Sequence, residues 1–322
     1  MTETTGTPRR VALLVNENAF GVRADDPDKL VRLCRAAGID VTAVERPGSA
    51  QEMAEAAAAH AESATGLLVV GGDGALNASL PGALNRPVAV GMLPRGTVNV
   101  WAREIGMPVR AEAAIRALAD GTVESMDVGR IAWPESGASG YFLLMAGLGF
   151  DGEVTRLVNR RMKRIVGIGA YVFASLAAYF RHEPYEAVVE VDNRTYKLRL
   201  TQLVAANCRR YGGDLPLVAS AQPSDGLLDL WTLGPAPKIA HAARFAMIVA
   251  RQADQGDRLL PGRARRVRVT AQHPIAVQLD GDPAPPLPGP VELSVVPGAF
   301  RAWLPRRNIR AAARQSARLT HP

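Results

Sequence analysis

The chain has 322 residues, of which 48% are hydrophobic and 21% are charged, a composition typical of a folded protein long enough for two domains. Its two cysteines, Cys34 and Cys208, lie far apart, and no apolar signal-like segment follows Met1, which disfavours a secreted disulfide framework and predicts a cytoplasmic location. The five histidines show no metal-ligand spacing, which argues against a zinc enzyme.

The net charge of +7 predicts an anionic partner, which could be a nucleotide, a nucleic acid or an acidic membrane surface. Basic residues concentrate at 160–164, at 263–268 and at 306–310. Aromatic residues make up only 5% of the chain and do not alternate with these basic runs, so the pattern disfavours nucleic acid.

From residue 10 to about residue 121, short β-rich runs alternate with helical stretches. This alternation predicts an N-terminal α/β domain with a doubly wound parallel sheet, which binds ligands at the carboxyl ends of its strands. The predicted strands cover 11–15, 41–44, 67–70 and 88–92.

The segment Gly71-Gly72-Asp73-Gly74 directly follows the third of these strands and precedes a helical stretch. Glycines at a helix N-terminus expose backbone N–H groups that can bind phosphate oxygens. Asp73 would repel a phosphate, so the residues predict that it reaches the phosphates through a divalent cation. A plain β–α turn explains this loop equally well when the loop is taken alone, and no GK[ST] P-loop is present.

A second loop at 93–99 also joins a strand to a helix. Gly96 permits close backbone approach, and Thr97 and Asn99 carry short polar groups suited to a phosphate or a ribose. A turn with a helix N-cap would account for this loop alone. Two such loops in one α/β unit favour a nucleotide site.

After about residue 124, strand-like runs follow one another with dense Gly and Pro, among them 141–145 and 198–206. This pattern predicts a second, mostly antiparallel β-sandwich domain with helices near 153–180 and 236–253. The predicted domains are 9–125, 126–305 and a basic tail at 306–322. The apolar run 165–180 is too short to span a bilayer; a buried helix is favoured over a surface that docks on anionic lipid.

Four aspartate-containing turns punctuate this second part, at Asp127, at 147–151, at 225–229 and at 279–282. Each alone is ordinary turn chemistry. Together with the two phosphate loops, in this order and approximate spacing, they make residues 9–304 resemble the diacylglycerol kinase catalytic-domain superfamily, particularly its soluble bacterial lipid kinases, which are related to sphingosine and ceramide kinases.

The resemblance implies an ATP- and Mg²⁺-dependent kinase that phosphorylates a lipid hydroxyl, such as that of diacylglycerol, in a cleft beside the β-sandwich and in peripheral contact with an anionic membrane. Asp280 would be the general base, with Asp73 and Asp127 in the Mg²⁺ and water network around the phosphates. Asp225 and the carbonyl of Leu228 would hold a second, structural Mg²⁺, and Asn207 would end a strand that faces the cleft. The residues implied to line the nucleotide site are Asn16, Gly71, Gly72, Asp73, Gly74, Gly96, Thr97, Asn99 and Asp282.

Three positions depart from the family pattern: Ala75 replaces a usual Thr, Val100 a usual Asp or Asn, and Asp282 a usual Glu. These departures keep a catalytically weakened nucleotide- or lipid-binding regulator as an alternative. NAD kinase is another alternative, because it shares the glycine-rich loop, although its Thr-Gly-Ser-Thr segment is missing here. The acceptor and the oligomeric state are not predicted by the residues.

Overall fold

The computed structural model describes residues 7–18, 26–157, 182–249, 256–285 and 288–306. The chain forms two units. The first takes the residues up to Gly96, Ala102–Ser125 and the chain from Arg301 onward, and the second takes Thr97–Trp101 and Met126–Phe300.

The first unit is built on a parallel sheet. Its strands are β1 (Arg10–Val15), β2 (Asp40–Glu45), β3 (Gly66–Gly71) and β4 (Ala89–Pro94), in the order β2-β1-β3-β4. The end of a long strand, β18 (Val291–Leu304), pairs in parallel with β4, where Ala302 lies opposite Val90. The helices between these strands are α1 (Pro27–Ala36), α2 (Ala50–His60), α3 (Asp73–Ala83), α4 (Val100–Glu104) and α5 (Ala111–Ala119).

Local sequence explains where these elements begin. Asp26 accepts the N–H of Asp28 at 3.0 Å and caps α1, whose first residue is Pro27. Every residue of β3 and β4 is buried, as expected for strands covered by helices on both faces. The direction in which strands are added reverses between β1 and β3, and such a switch point is where α/β sheets bind ligands.

The second unit contains two antiparallel sheets. One has the order β14-β13-β10-β7-β16-β17; the other runs from the first part of β18 through β15 and β8 to β9, with β5 and β6 beside β18. Their bounds are β5 (Thr122–Trp133), β6 (Ala138–Phe142), β7 (Met145–Gly149), β8 (Tyr185–Val191), β9 (Arg194–Leu200), β10 (Gln202–Ala206), β13 (Leu228–Leu233), β14 (Arg263–Ala264), β15 (Arg266–Ala271), β16 (Val277–Leu279) and β17 (Asp282–Ala284).

A single core fills the space between these two sheets. It contains Leu148 and Leu203 from the first sheet and Val189, Val267 and Leu293 from the second, all fully buried. The arrangement is a β-sandwich, and it confirms the predicted fold class. A short hairpin of β11 (Arg210–Tyr211) and β12 (Leu215–Pro216) and the helices α6 (Phe150–Leu157) and α7 (Lys238–Val249) complete the unit.

Two predicted strands were wrong in extent. The predicted run 198–206 is two strands: β9 pairs with β8, the chain turns at Thr201, and β10 pairs with β7 and β13 of the other sheet. The run 141–145 likewise divides between β6 and β7, and β5 was not predicted. The basic run 160–164, the apolar run 165–180 and the tail beyond Arg306 lie outside the described residues. Within the described ranges, no helix combines the length and the apolar character needed to cross a membrane.

Candidate active-site residues

In the first unit, the ends of β1 and β3 lie side by side at the switch point of the sheet. The N–H of Asn16 donates to the carbonyl of Val70 at 3.0 Å. A Cβ added to Gly71 would lie 3.5 Å from the Cβ of Asn16 and 2.6 Å from the Cβ of Ala75. Glycine is therefore required at 71 because the first turn of α3 packs against it, and Ala75 keeps that turn small.

The N-terminus of α3 is the second part of this edge. Gly72 is the N-cap residue, and within the described residues no side chain caps it. Asp73 is half-buried and Gly74 is exposed. Uncapped helix N–H groups carry partial positive charge and favour an anion. Asp73 itself also fits the helix dipole, so its carboxylate is explained with or without a bound cation.

The loop after β4 is held against the same edge. The N–H of Arg95 donates to the carbonyl of Gly71 at 2.7 Å, and its Nη1 donates to the carbonyls of Pro94 and Val109 at 2.9 Å each. The structure thus brings Asn16, Gly71 and Arg95, which precedes Gly96, close together. Arg95 was not predicted as a site residue, because the sequence of a loop does not indicate which backbone carbonyls its arginine will contact.

The next residues of that loop belong to the second unit. Thr97 is exposed, whereas Asn99 is buried and has a φ of 53°, a left-handed conformation that asparagine tolerates better than most residues. Val100, at the start of α4, is 7% exposed. Val100, which stands where the family pattern has Asp or Asn, is therefore part of the hydrophobic interior.

Asp280 lies at the tip of the two-residue hairpin that joins β16 to β17. Asp280 and Gly281 have φ values of 51° and 85°, and Leu279 pairs with Asp282, which is the pattern of a type I′ turn. The Asp280 carboxylate accepts three consecutive backbone N–H groups, from Leu143 and Leu144 at 2.8 Å and from Met145 at 3.0 Å. These bonds fix the orientation of the carboxylate.

A buried polar network supports this hairpin. The Oε1 atom of Gln278 accepts the N–H of Gly281 at 2.6 Å, and its Nε2 donates to Oδ2 of Asp151 at 2.7 Å. Tyr211 donates to the other oxygen of Asp151. A Cβ at Gly147 would lie 2.6 Å from Oδ2 of Asp151, which explains the glycine that begins the 147–151 motif. The motif was predicted, but its partner Gln278 was missed.

Asp127 is 3% exposed, and its carboxylate oxygens accept backbone amides from strand β18 and from the loop before β13. Oδ1 accepts the N–H of Gly298 at 2.8 Å, and Oδ2 accepts the N–H of Gly226 at 2.6 Å. These contacts assign Asp127 a part in holding the 225–229 loop. The fully buried Asn207 reinforces the same place, because its Nδ2 donates to the carbonyl of Asp127 at 3.0 Å.

The remaining predicted positions lie in or beside that loop and in the hairpin. Asp225 accepts the N–H of Leu227 at 3.1 Å, Leu228 is the fully buried first residue of β13, and Asp282 is the half-buried first residue of β17. Among the described residues, no three acidic, histidine or cysteine side chains form a metal-binding group. A nucleotide-bound Mg²⁺ uses one or two carboxylates together with phosphates and water, and Asp73 fits that donor set.

Comparisons with known proteins agree with this arrangement. Residues 10–131 match the family described as the diacylglycerol kinase catalytic domain, and residues 145–303 match the YegS C-terminal NAD kinase beta sandwich-like domain. A crystal structure described as a diacylglycerol kinase from Bacillus anthracis has a TM-score of 0.73 with this chain at 19% identity, covering 94% of this chain and 98% of that one, which supports the fold.

Two sequence relatives define the family. The protein named "Diacylglycerol kinase" from Mycobacterium tuberculosis is 32% identical over 84% of this chain and 86% of its own length. The protein named "Probable lipid kinase YegS-like" from Pseudomonas fluorescens is 30% identical over 84% and 88%. The family match over residues 10–131 and these two relatives place the chain in a kinase family. The chain belongs to the diacylglycerol kinase catalytic-domain superfamily.

Proposed function

We propose that this chain is an ATP- and Mg²⁺-dependent lipid kinase that transfers the γ-phosphoryl group of ATP to a lipid hydroxyl, such as that of diacylglycerol. The observation that carries the proposal is the sheet edge at which Asn16, Gly71 and the uncapped start of α3 lie together. The names of the two sequence relatives support a lipid acceptor. Because such an acceptor resides in a bilayer, the proposal includes peripheral contact with an anionic membrane surface.

In this proposal the glycine-lined edge of the first unit binds the phosphates of ATP. The N–H groups at the start of α3 and the glycines at 71, 72, 74 and 96 approach the phosphates. The resemblance adds polar contacts to ATP from Asn16, Thr97, Asn99 and Asp282. Asp73 would hold the Mg²⁺ that accompanies ATP, and the resemblance gives Asp127 a place in the surrounding water network. When bound, Mg²⁺ neutralises phosphate charge and polarises the transferred group.

Asp280 is the proposed general base. Its three amide contacts hold the carboxylate in a fixed direction, which a base requires before substrate binds. Asp280 accepts the proton as the lipid hydroxyl oxygen forms its bond to the γ-phosphorus. The bond between the γ-phosphorus and the bridging oxygen breaks, and ADP leaves. Positioning of the reacting groups accounts for much of the rate acceleration in such a reaction.

The experiment is transfer of labelled γ-phosphate from ATP by the purified full chain, with separate acceptors. The acceptors are diacylglycerol, a sphingoid base, a glycerophospholipid and NAD. Labelled lipid supports the proposal and names the acceptor, whereas labelled NADP would establish an NAD kinase. If ATP raises the melting temperature but no acceptor becomes labelled, the chain is a nucleotide-binding regulator.

A further inference from the structure

The loop that precedes β13 contains Asp225, and the positive charge of Arg263 in β14 lies beside it. The family resemblance implies a structural Mg²⁺ at this loop, held by Asp225 and the carbonyl of Leu228. Either that ion or the arginine could neutralise the negative charge of this loop. Which of them does so is independent of the proposed kinase activity.

The register of two strands brings Arg263 to the acids. β13 and β14 are antiparallel neighbours, and Asp229 lies directly opposite Arg263. The Nε atom of Arg263 is 3.3 Å from Oδ1 of Asp229, and its Nη1 is 3.6 Å from Oδ2 of Asp225. Sheet pairing therefore places the two side chains on the same face of the sheet, where the Arg263 side chain is 43% exposed.

A third contact completes the arrangement. The Nη2 atom of Arg263 donates to the carbonyl of Ser220 at 3.2 Å, and the hydroxyl of Ser220 donates to Oδ1 of Asp229 at 2.5 Å. One guanidinium therefore joins two carboxylates and a backbone carbonyl. These are the oxygen types that a divalent cation would otherwise collect.

Burial makes this counter-charge necessary. Asp229 is 2% exposed, and within the described residues neither its Oδ2 nor Oδ2 of Asp225 has a hydrogen-bond donor. The Asp225 side chain is 22% exposed, so only the Asp229 carboxylate has lost nearly all of its hydration. Two neighbouring carboxylates also repel each other, so the pair needs a positive charge beside it. Arg263 is held there by the backbone of its own strand.

The same geometry disfavours a Mg²⁺ ion. Mg²⁺ requires nearly octahedral oxygen ligands at about 2.0–2.1 Å, and a guanidinium between the carboxylates would repel it. We propose that Arg263 replaces the structural Mg²⁺ at the Asp225 loop. The loop is then neutralised by an intramolecular ion pair, and the second unit needs no metal there. The residues fit this pair better than they fit the ion.

The test is thermal unfolding and Mn²⁺ binding of the full chain without nucleotide, after treatment with a chelator. Wild-type protein should melt within about 1 °C in chelator and in Mg²⁺ at matched ionic strength. Arg263→Met keeps much of the side-chain volume and removes the charge. It should lower the melting temperature by about 2–4 °C or more in chelator, and Mg²⁺ should recover this loss. Electron paramagnetic resonance should show a Mn²⁺ site in this variant that is absent from wild type.

Two controls separate this effect from general loss of charge. Arg266→Met removes an exposed arginine that pairs with Glu292 at 2.8 Å on a neighbouring strand, and it should gain no metal dependence. Adding Asp225→Asn to Arg263→Met should abolish the new Mn²⁺ site. Metal-dependent melting of wild type that Asp225→Asn removes would overturn the proposal, even if Arg263→Met fails to fold. An Arg263→Met variant that melts like wild type and gains no metal dependence would also overturn it.

Discussion

The side-chain amide of Asn207 donates to the carbonyl of Asp127 at 3.0 Å. Its Nδ2 donates also to the carbonyl of Leu143 at 2.8 Å, and the N–H of Leu143 donates to Oδ2 of Asp280 at 2.8 Å. A short path of hydrogen bonds thus connects Asp127 and Asp280, two of the aspartates to which the resemblance assigns roles. The position of the proposed base depends on a buried asparagine that touches neither carboxylate.

Replacing Asn207 by Asp should destabilise the second unit. A carboxylate cannot donate, so the carbonyl of Asp127 would lose this donor at a cost on the order of 1–3 kcal/mol, while the carbonyl of Leu143 would keep the thiol of Cys208 at 3.3 Å. Chemical denaturation measures this loss. Asn193→Asp, at the exposed β8–β9 turn, is the matched control and should change stability little. Unchanged stability of Asn207→Asp would contradict the role of this amide.

Asp280→Asn should lower turnover by about 10²-fold or more, because general bases contribute factors of this size. Stability should also fall by about 1–3 kcal/mol, since an amide cannot accept all three N–H groups. The ATP-induced thermal shift should persist. Asp192→Asn is a suitable control: Asp192 also has a positive φ and accepts two backbone N–H groups, of Arg265 and Arg266, away from the candidate site. Wild-type turnover in Asp280→Asn would remove the proposed base.

Gln278→Leu should reduce kcat more than it raises the KM for ATP. The fully buried glutamine holds the N–H of Gly281, next to Asp280, so its loss should move the proposed base and leave ATP binding nearly unchanged. Steady-state kinetics with lipid in excess separates the two constants. Gln272→Leu, at an exposed site, serves as the control. A rise in the KM for ATP with unchanged kcat would assign Gln278 a different part.

Gly71→Ala should weaken both folding and ATP binding. The new Cβ would lie 2.6 Å from the Cβ of Ala75, and overpacking of this kind costs about 1–3 kcal/mol. Gly71→Ala combined with Ala75→Gly should recover part of the stability lost, apart from about 1 kcal/mol for glycine inside a helix. Thermal melts with and without ATP give both quantities. Additive losses in the double variant would show that this contact does not limit the position.

Cys34 should resist thiol reagents in the folded protein. Burial raises the pKa of its thiol from 9.0 to about 11, so little reactive thiolate forms near pH 8. Because the folded pKa is the higher one, the thiol favours the folded state below pH 9 and loses this contribution as the pH rises toward 11. Mass spectrometry after alkylation, with and without urea, checks the prediction. Rapid modification of the native protein at Cys34 would contradict it.

Local signals were the reliable ones in this sequence. The strand–glycine–helix pattern at 71–74 and the Asp-Gly pair at 280–281 were recognised because a few neighbouring residues determine such turns. The order of the motifs and the alternation of strands and helices predicted the fold class, which the structure and the comparisons confirm.

Contacts between distant segments were not recognised. Asn207 meets the carbonyl of Asp127 across 80 sequence positions, and Gln278 meets Asp151 across 127. The break of the apolar run 198–206 at Thr201 arises because the two halves pair with different sheets. Residue periodicity carries no information about such pairing.

The proposed lipid kinase activity is tested most simply by the stoichiometry of ADP release and lipid phosphorylation by the full chain on diacylglycerol-containing vesicles. We expect one ADP for each phosphatidic acid formed, and we expect both products to be lost on chelation of Mg²⁺ and in Asp280→Asn. ATP binding without any phosphorylated lipid, or transfer of the phosphate to NAD, would contradict it.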